Sequence, residues 1–412
     1  GKGLSEAEHA AVASVAGGSS DGLILSSVLA DADTFAGQYF GGITGYSYNA
    51  VLYDCETASG RARGYSYDSA QQDKVLKGDY VGGIVGYGNY TILSNCETQK
   101  NGYVLGENYV GGIAGGLGNE VGSSIRNTGE VLVTTNRSYV IGKNYAGGIT
   151  GINTHGVTLE NCVNNGVAAA TKKYAGGIVG YNEYEAKIQD CVSYLSDYDS
   201  SIYNMIVDKW EATGDYVGGI AGYNNGALTF DSASQKVMVK SVSGIVAGGS
   251  YVGGIAGFND VQGTLDAEYD LIGGRIHGDG DGVGGCFGLN ASRFVLTSEL
   301  VIKPRSVEGR YYVGGVIGGW FSRAANEAYT SIMEKGAFVG GVIGYQRTYG
   351  ADQIGAESGK PILEALAAAQ KDGNQRLLPG LDDSHVPTAV QASADQGRLI
   401  LTAAGNTDAV FT

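Results

Sequence analysis

The chain has 412 residues, of which 70 are glycine and only 4 proline, and it carries a net charge of −15. Apolar residues at 43% and 28 tyrosines supply enough surface for a core, which excludes a disordered low-complexity tract, and the lack of a Gly-X-Y period excludes collagen. The acidic balance argues against nucleic acid and anionic lipid surfaces, which are bound by neutralising phosphates with Lys and Arg, and no run approaches the ~18 apolar residues that a spanning helix needs.

At the start, Ser5-Glu6-Ala7-Glu8 forms a capping box. It predicts a short helix with a small apolar face of Ala7, Ala10, Ala11 and Val15, stopped by Gly17-Gly18. Residues 1–35 are therefore read as a capping helix followed by the strand that leads into the body.

From residue 36 one phrase recurs: aromatic, small apolar, Gly-Gly, Ile or Val, small apolar, Gly. It begins at Tyr39, Tyr80, Tyr109, Tyr145, Tyr174, Tyr216, Tyr251, Gly282 (a degenerate copy), Tyr312 and Phe338. Successive copies start 26 to 42 residues apart, which is the spacing of a solenoid whose units bury their apolar faces only by stacking. Three glycines in seven residues would cost a helix about 3 kcal/mol relative to alanine, so the unit is not helical. Short apolar runs bounded by Gly, Asn and Asp read as strands, two or three per unit. Glycine on such strands permits close backbone approach and corners that need positive φ.

The residues just after the phrase are Tyr46, Tyr87, Tyr181, Tyr223, Phe258 and Tyr345, with Asn182, Asn224, Asn259 and Asn290 one position on. Stacked coils would turn these into aromatic and asparagine ladders of structural purpose. Residues 1–303 contain no proline, as expected of ladders that need every N–H. The expected fold is all-β: a right-handed parallel β-helix of about ten coils with short helical caps, its hand taken from the rule for parallel crossovers. The solenoid spans 36–350. Residues 351–412 hold a cap helix over 362–371, with Pro361 at its first position and Gly373 as its stop, two short strands (398–402 and 409–411), and the start of a following segment.

The motif Gly83-Ile84-Val85-Gly86, with its copies Gly112-Ile113-Ala114-Gly115 and Gly254-Ile255-Ala256-Gly257, resembles the GLUG repeat of exported bacterial surface proteins. That family includes adhesins and the non-catalytic part of immunoglobulin A-cleaving metallopeptidases. The resemblance covers about residues 36–346. It implies a secreted or cell-surface solenoid that serves as spacer or interaction module. It does not imply peptidase activity, because His9, His155, His277 and His385 are isolated and no His-Glu-x-x-His occurs.

Four of the five cysteines, Cys55, Cys96, Cys162 and Cys191, share one repeat position in two neighbouring pairs. Stacking would bring each pair within disulfide range, but adjacent parallel positions aim sulfurs poorly, so buried free thiols are expected. Cys286 takes an isoleucine slot and reads as core. The run Gly278-Asp279-Gly280-Asp281-Gly282 hints at calcium-binding repeats but occurs once and is read as a turn. No metal or other cofactor is expected.

Two units carry about a dozen extra residues between the Cys position and the next phrase. These insertions hold Tyr65 and Tyr67 in one, and Tyr194, Tyr198, Tyr203 and Trp210 in the other. Per-repeat insertions map to one face of a solenoid, often the binding face. These six aromatics are the candidate binding residues, either for glycans or host and matrix proteins or merely folded back over the coil flank. The expected role is an adhesin or interaction module of a larger bacterial surface protein. A passive stalk is the alternative, and a polysaccharide-degrading enzyme is less favoured because nothing in the sequence pairs two carboxylates.

Overall fold

The computed structural model describes residues 38–57, 78–100, 102–118, 134–194, 214–229, 245–260, 275–291 and 306–321 continuously, together with shorter strands outside these spans. Both cap-helix readings and all four prolines lie outside the described residues, as does the strand read at 409–411. Within them the protein is all-β and has no helix. It forms a parallel β-solenoid in two compact units, one of Gly1–Tyr194 with Thr229–Gln235, the other of Leu195–Leu228 with Lys236–Thr412.

In the first unit the strands Gln38–Gly41, Asp79–Gly82, Asn108–Gly111 and Tyr139–Gly147 pair in parallel, with Phe40, Val81, Val110 and Ala146 in register. The chain then bends at each Gly-Ile step and enters a second parallel row: Thr44–Tyr53, Val85–Ser94, Ala114–Leu117, Thr150–Asn153 and Val179–Asn182. A third row runs through Glu56–Thr57, Glu97–Thr98, Thr134–Asn136, Cys162–Asn164 and Val192–Tyr194. A further row includes Arg61–Arg63 and Tyr103–Leu105 and closes each coil. The coil thus has more strand positions than the two or three expected.

The glycine phrase is a corner between two strands. Backbone bonds continue through it from coil to coil: Ile84 N–H to Ile113 O at 2.9 Å, Ile113 N–H to Ile149 O at 2.9 Å, and Ile149 N–H to Ile178 O at 2.9 Å. The four isoleucines are fully buried and form the inner column. Each glycine answers a separate crowding. A Cβ on Gly147 would collide with the carbonyl oxygen of Thr150, one on Gly112 with that of Gly148, and one on Gly151 with the backbone of Tyr109 in the preceding coil. None of these three adopts a positive φ, so the requirement is space and not backbone freedom.

Left-handed backbone does fall on glycine at Gly78 (112°), Gly156 (77°) and Gly282 (75°), but more often it falls on other residues. The phrase's tyrosine adopts it throughout the first unit, at φ 51° for Tyr39, 53° for Tyr80 and Tyr109, 55° for Tyr145 and 64° for Tyr174. So does the residue before each of the four aligned cysteines: Asp54 (52°), Asn95 (53°), Asn161 (49°) and Asp190 (50°). Asn and Asp tolerate this region best among non-glycine residues, which explains the Asn-Cys and Asp-Cys pairs.

The second unit repeats the scheme. Asp215–Gly218, Val252–Gly253, Asp281–Gly284, Tyr311–Gly314 and Val339–Gly340 pair in parallel, as do Ala221–Asn224, Ala256–Asn259, Phe287–Asn290, Ile317–Phe321 and Ile343–Arg347. Gly282 replaces tyrosine at the left-handed position with φ 75°, and Cys286 fills the buried isoleucine slot, accepting a bond from Ile255 N–H. The strand Arg398–Ala404 contains the expected strand at 398–402. It is one arm of an antiparallel hairpin with Ala389–Asp395, whose Val390 pairs with Val307.

Candidate functional site

Three polar ladders run inside or along the first unit. Asn153 Nδ2 donates to Asn182 Oδ1 at 2.8 Å, both fully buried. Asn136 Nδ2 donates to Asn164 Oδ1 at 2.8 Å while its Oδ1 accepts from Thr98 Oγ1 at 2.6 Å. At the position before the phrase, Asn108 Nδ2 donates to Asp79 Oδ1 at 2.7 Å and Asn144 Nδ2 to Asn108 Oδ1 at 2.9 Å. In the second unit Asn224, Asn259 and Asn290 form the expected ladder with 2.8 Å bonds. These side chains are committed to holding coils together.

All five cysteines are buried free thiols. In the aligned column Thr134 occupies the slot between the two pairs, its Oγ1 accepting from Cys96 N–H at 3.3 Å and its backbone in register with Cys162. Cys162 N–H donates to Cys191 Sγ at 3.4 Å. The hydrogen bond that Cys96 donates to Cys55, together with full burial, pushes the Cys96 thiol well up, burial and Cys191 do the same to Cys162, and burial alone raises Cys286. Such thiols are protonated and inert at neutral pH.

The run 278–282 is a bend between the strands Arg275–Gly278 and Asp281–Gly284. His277 Nε2 lies 3.1 Å from Asp279 Oδ1 and its Nδ1 lies 3.4 Å from Glu308 Oε2. Among the described residues no group of three or more His, Cys, Asp or Glu side chains is placed to hold a metal ion. Burial raises the Asp281 carboxyl above the usual range, Arg310 opposing and Asp215 reinforcing the shift. Asp215 and Asp281 both serve the backbone around Ser250: Asp215 Oδ1 accepts from Ser250 N–H at 2.7 Å, and Asp281 N–H donates to Ser250 Oγ at 3.2 Å.

Three of the six insertion aromatics fall within the described residues. Tyr65 and Tyr67 lie on the strand Tyr65–Tyr67, which forms an antiparallel hairpin with Lys74–Leu76, Tyr65 opposite Leu76 and Tyr67 opposite Lys74. Tyr194 ends the strand Val192–Tyr194 and is exposed. Tyr198, Tyr203 and Trp210 lie outside the described residues. The structure thus brings Tyr65 and Tyr67 onto one strand and leaves Tyr194 apart from them in the chain.

The structure also assembles the phrase's own tyrosine into a row. Tyr39, Tyr80, Tyr109, Tyr145 and Tyr174 form a column with centroid steps of 5.4, 4.7, 4.8 and 5.0 Å and interplanar angles of 14–18°. The residue after the phrase leans edge-on against it, as in Tyr80–Tyr87 at 4.9 Å and Tyr174–Tyr181 at 6.1 Å. In the second unit Tyr216 stacks on Tyr251 at 4.7 Å, and Phe258 meets Tyr223 edge-on at 5.0 Å. Burial, with neighbouring tyrosines adding to it, raises the Tyr80 phenol to about 12, and burial raises Tyr109, Tyr174 and Tyr251 as well.

On the first two coils the aromatic rows reach solvent. Tyr39, Tyr46, Tyr48 and Tyr90 are 43%, 51%, 61% and 37% exposed. Tyr46 stacks on Tyr87 at 6.0 Å and 17°, Tyr39 meets Tyr46 edge-on at 5.8 Å, and Tyr48 meets Tyr90 edge-on at 5.5 Å. Tyr46 and Tyr48 lie two apart on one strand, so both face outward, with buried Ser47 between them bonded to Thr91 at 2.9 Å. Tyr90 adopts a left-handed φ of 50° opposite Asn49 (48°), and the pairing keeps the same register on both sides of them. The recurrence of an aromatic at the head of the phrase was the available signal for the column; Tyr48 and Tyr90, unequally spaced from the phrase, carried none.

Comparisons with family models, with curated proteins and with solved structures found no match to this chain.

Proposed function

We propose that the chain is an extracellular, surface-displayed β-solenoid that serves as adhesin or interaction module of a larger bacterial surface protein. The observation that carries this reading is the division of labour between inside and outside. Isoleucine, glycine and asparagine columns join coil to coil internally, leaving outward side chains free to vary, and large tyrosines are displayed there. Exposed aromatics of this kind mark interaction surfaces. The resemblance to GLUG repeats points the same way, and the hairpin carrying Tyr65 and Tyr67 is a side loop of the kind such modules use.

Antibodies against the chain, applied to intact bacteria producing its parent protein, should label the surface, and the purified chain should bind components of a glycan and host-matrix array. Replacing Tyr65, Tyr67, Tyr194, Tyr198, Tyr203 and Trp210 together tests the loop component, with loss of array binding expected. A chain that binds nothing but is displayed would be a passive stalk, the reading that uniform coil-to-coil ladders also support.

A further inference from the structure

We infer that the outward tyrosines of the first two coils form a binding platform for a neutral polysaccharide chain. The inference rests on the interaction-module reading and gives it a ligand class and a place. Tyr46 and Tyr48 are the most exposed large apolar side chains among the described residues, and Tyr90 beside them is exposed too. Their partners hold them still: Tyr46 stacks on Tyr87 and Tyr48 abuts Tyr90, so little side-chain freedom is lost on binding.

The geometry suits sugar rings. The centroid steps from one coil to the next, 6.0 Å for Tyr46–Tyr87 and 5.5 Å for Tyr48–Tyr90, are on the scale of one pyranose, and two outward positions of a strand add a second row about 7 Å away. Flat phenol faces pack against the C–H face of a pyranose, while phenol hydroxyls can bond its hydroxyls. Charge chooses among glycans. A chain of net charge −15 repels uronate, sulfate and sialate groups. A neutral, extended polymer lying across the two coils is the occupant that fits.

The test uses the full chain with cello-oligosaccharides, soluble β-glucan, mannan and xylan as neutral probes, and heparin, hyaluronate and alginate as charged ones, read by affinity electrophoresis and calorimetry. Expected is binding to at least one neutral polymer and to no charged one. Tyr46→Ala with Tyr48→Ala should weaken it at least tenfold, whereas Tyr46→Phe with Tyr48→Phe should stay within about threefold, with circular dichroism unchanged in both. Absence of binding to every neutral probe, or binding that the alanine pair leaves intact, overturns the platform. If the chain is surface-displayed and binds only a protein or a charged glycan, the platform fails while the interaction-module reading stands. If it is not displayed at all, that reading fails whatever the platform binds.

Discussion

A tyrosine held at a left-handed φ sacrifices about 1–2 kcal/mol of backbone energy, yet this protein places one at the same point of coil after coil. Stacking offsets the strain. An interior ring such as Tyr109 has a stacked neighbour on either side, each contributing about 0.5–1.5 kcal/mol beyond simple burial. Glycine serves two separate ends in the same coils. At Gly147 it makes room for the Thr150 carbonyl, while at Gly156 (φ 77°) nothing lies near and only the backbone conformation requires it. Gly147→Ala is therefore expected to destabilise the first unit by about 3 kcal/mol or more, as overpacking against rigid backbone does. Gly156→Ala should cost only about 1 kcal/mol. Urea denaturation followed by circular dichroism checks both, and equal losses would contradict the distinction.

At the scale of the element, the ladder is the unit of stability. Asn259 both donates to Asn290 and accepts from Asn224 in a fully buried row. Replacing it with alanine removes two bonds and leaves two amide groups short of a partner, each costing about 1–3 kcal/mol. Asn259→Ala should thus destabilise the second unit by about 3 kcal/mol, and native-state hydrogen exchange should show the loss first in the strands Ala221–Asn224, Ala256–Asn259 and Phe287–Asn290. Loss spread evenly over both units would contradict a local ladder. Much of this was legible beforehand: Asn182, Asn224, Asn259 and Asn290 follow the phrase at constant distance, and constant distance in a stacked repeat becomes contact. The cysteine column was only half legible. Thr134 sits in its missing slot, but neither residue type nor spacing from Tyr109 marks it, and only backbone pairing identifies the site. The exposed pair Tyr48 and Tyr90 was hidden for a related reason: the two sit one register position apart, Tyr48 pairing with Asn89, and only the stacked backbone brings their rings together.

For the molecule as a whole, the tyrosine column ties stability to alkaline pH. The Tyr80 phenol is raised to about 12 and Tyr109, Tyr174 and Tyr251 are raised with it, chiefly because burial penalises the phenolate. The folded protein therefore holds these protons more tightly than the unfolded chain, whose tyrosines ionise near 10. The stabilisation is complete below about pH 10 and is lost as pH rises toward 12. A spectrophotometric titration of phenolate absorbance should show a late group, ionising above the ordinary tyrosine value and together with unfolding. A single transition at the ordinary tyrosine value, with the fold intact, would contradict it.

The sequence by itself determined that the chain stacks, that its strands are short, and which residues turn inward. A repeated spacing of glycine, isoleucine and asparagine leaves no other way to bury apolar surface and satisfy backbone bonds together. Only the tertiary structure decided that the glycine phrase is a corner, that strained backbone falls mainly on tyrosine and Asx residues, and that exposed aromatics sit on the strands of the early coils. Those outcomes depend on how closely one coil's backbone approaches the next, and that distance exists only once the coils are stacked.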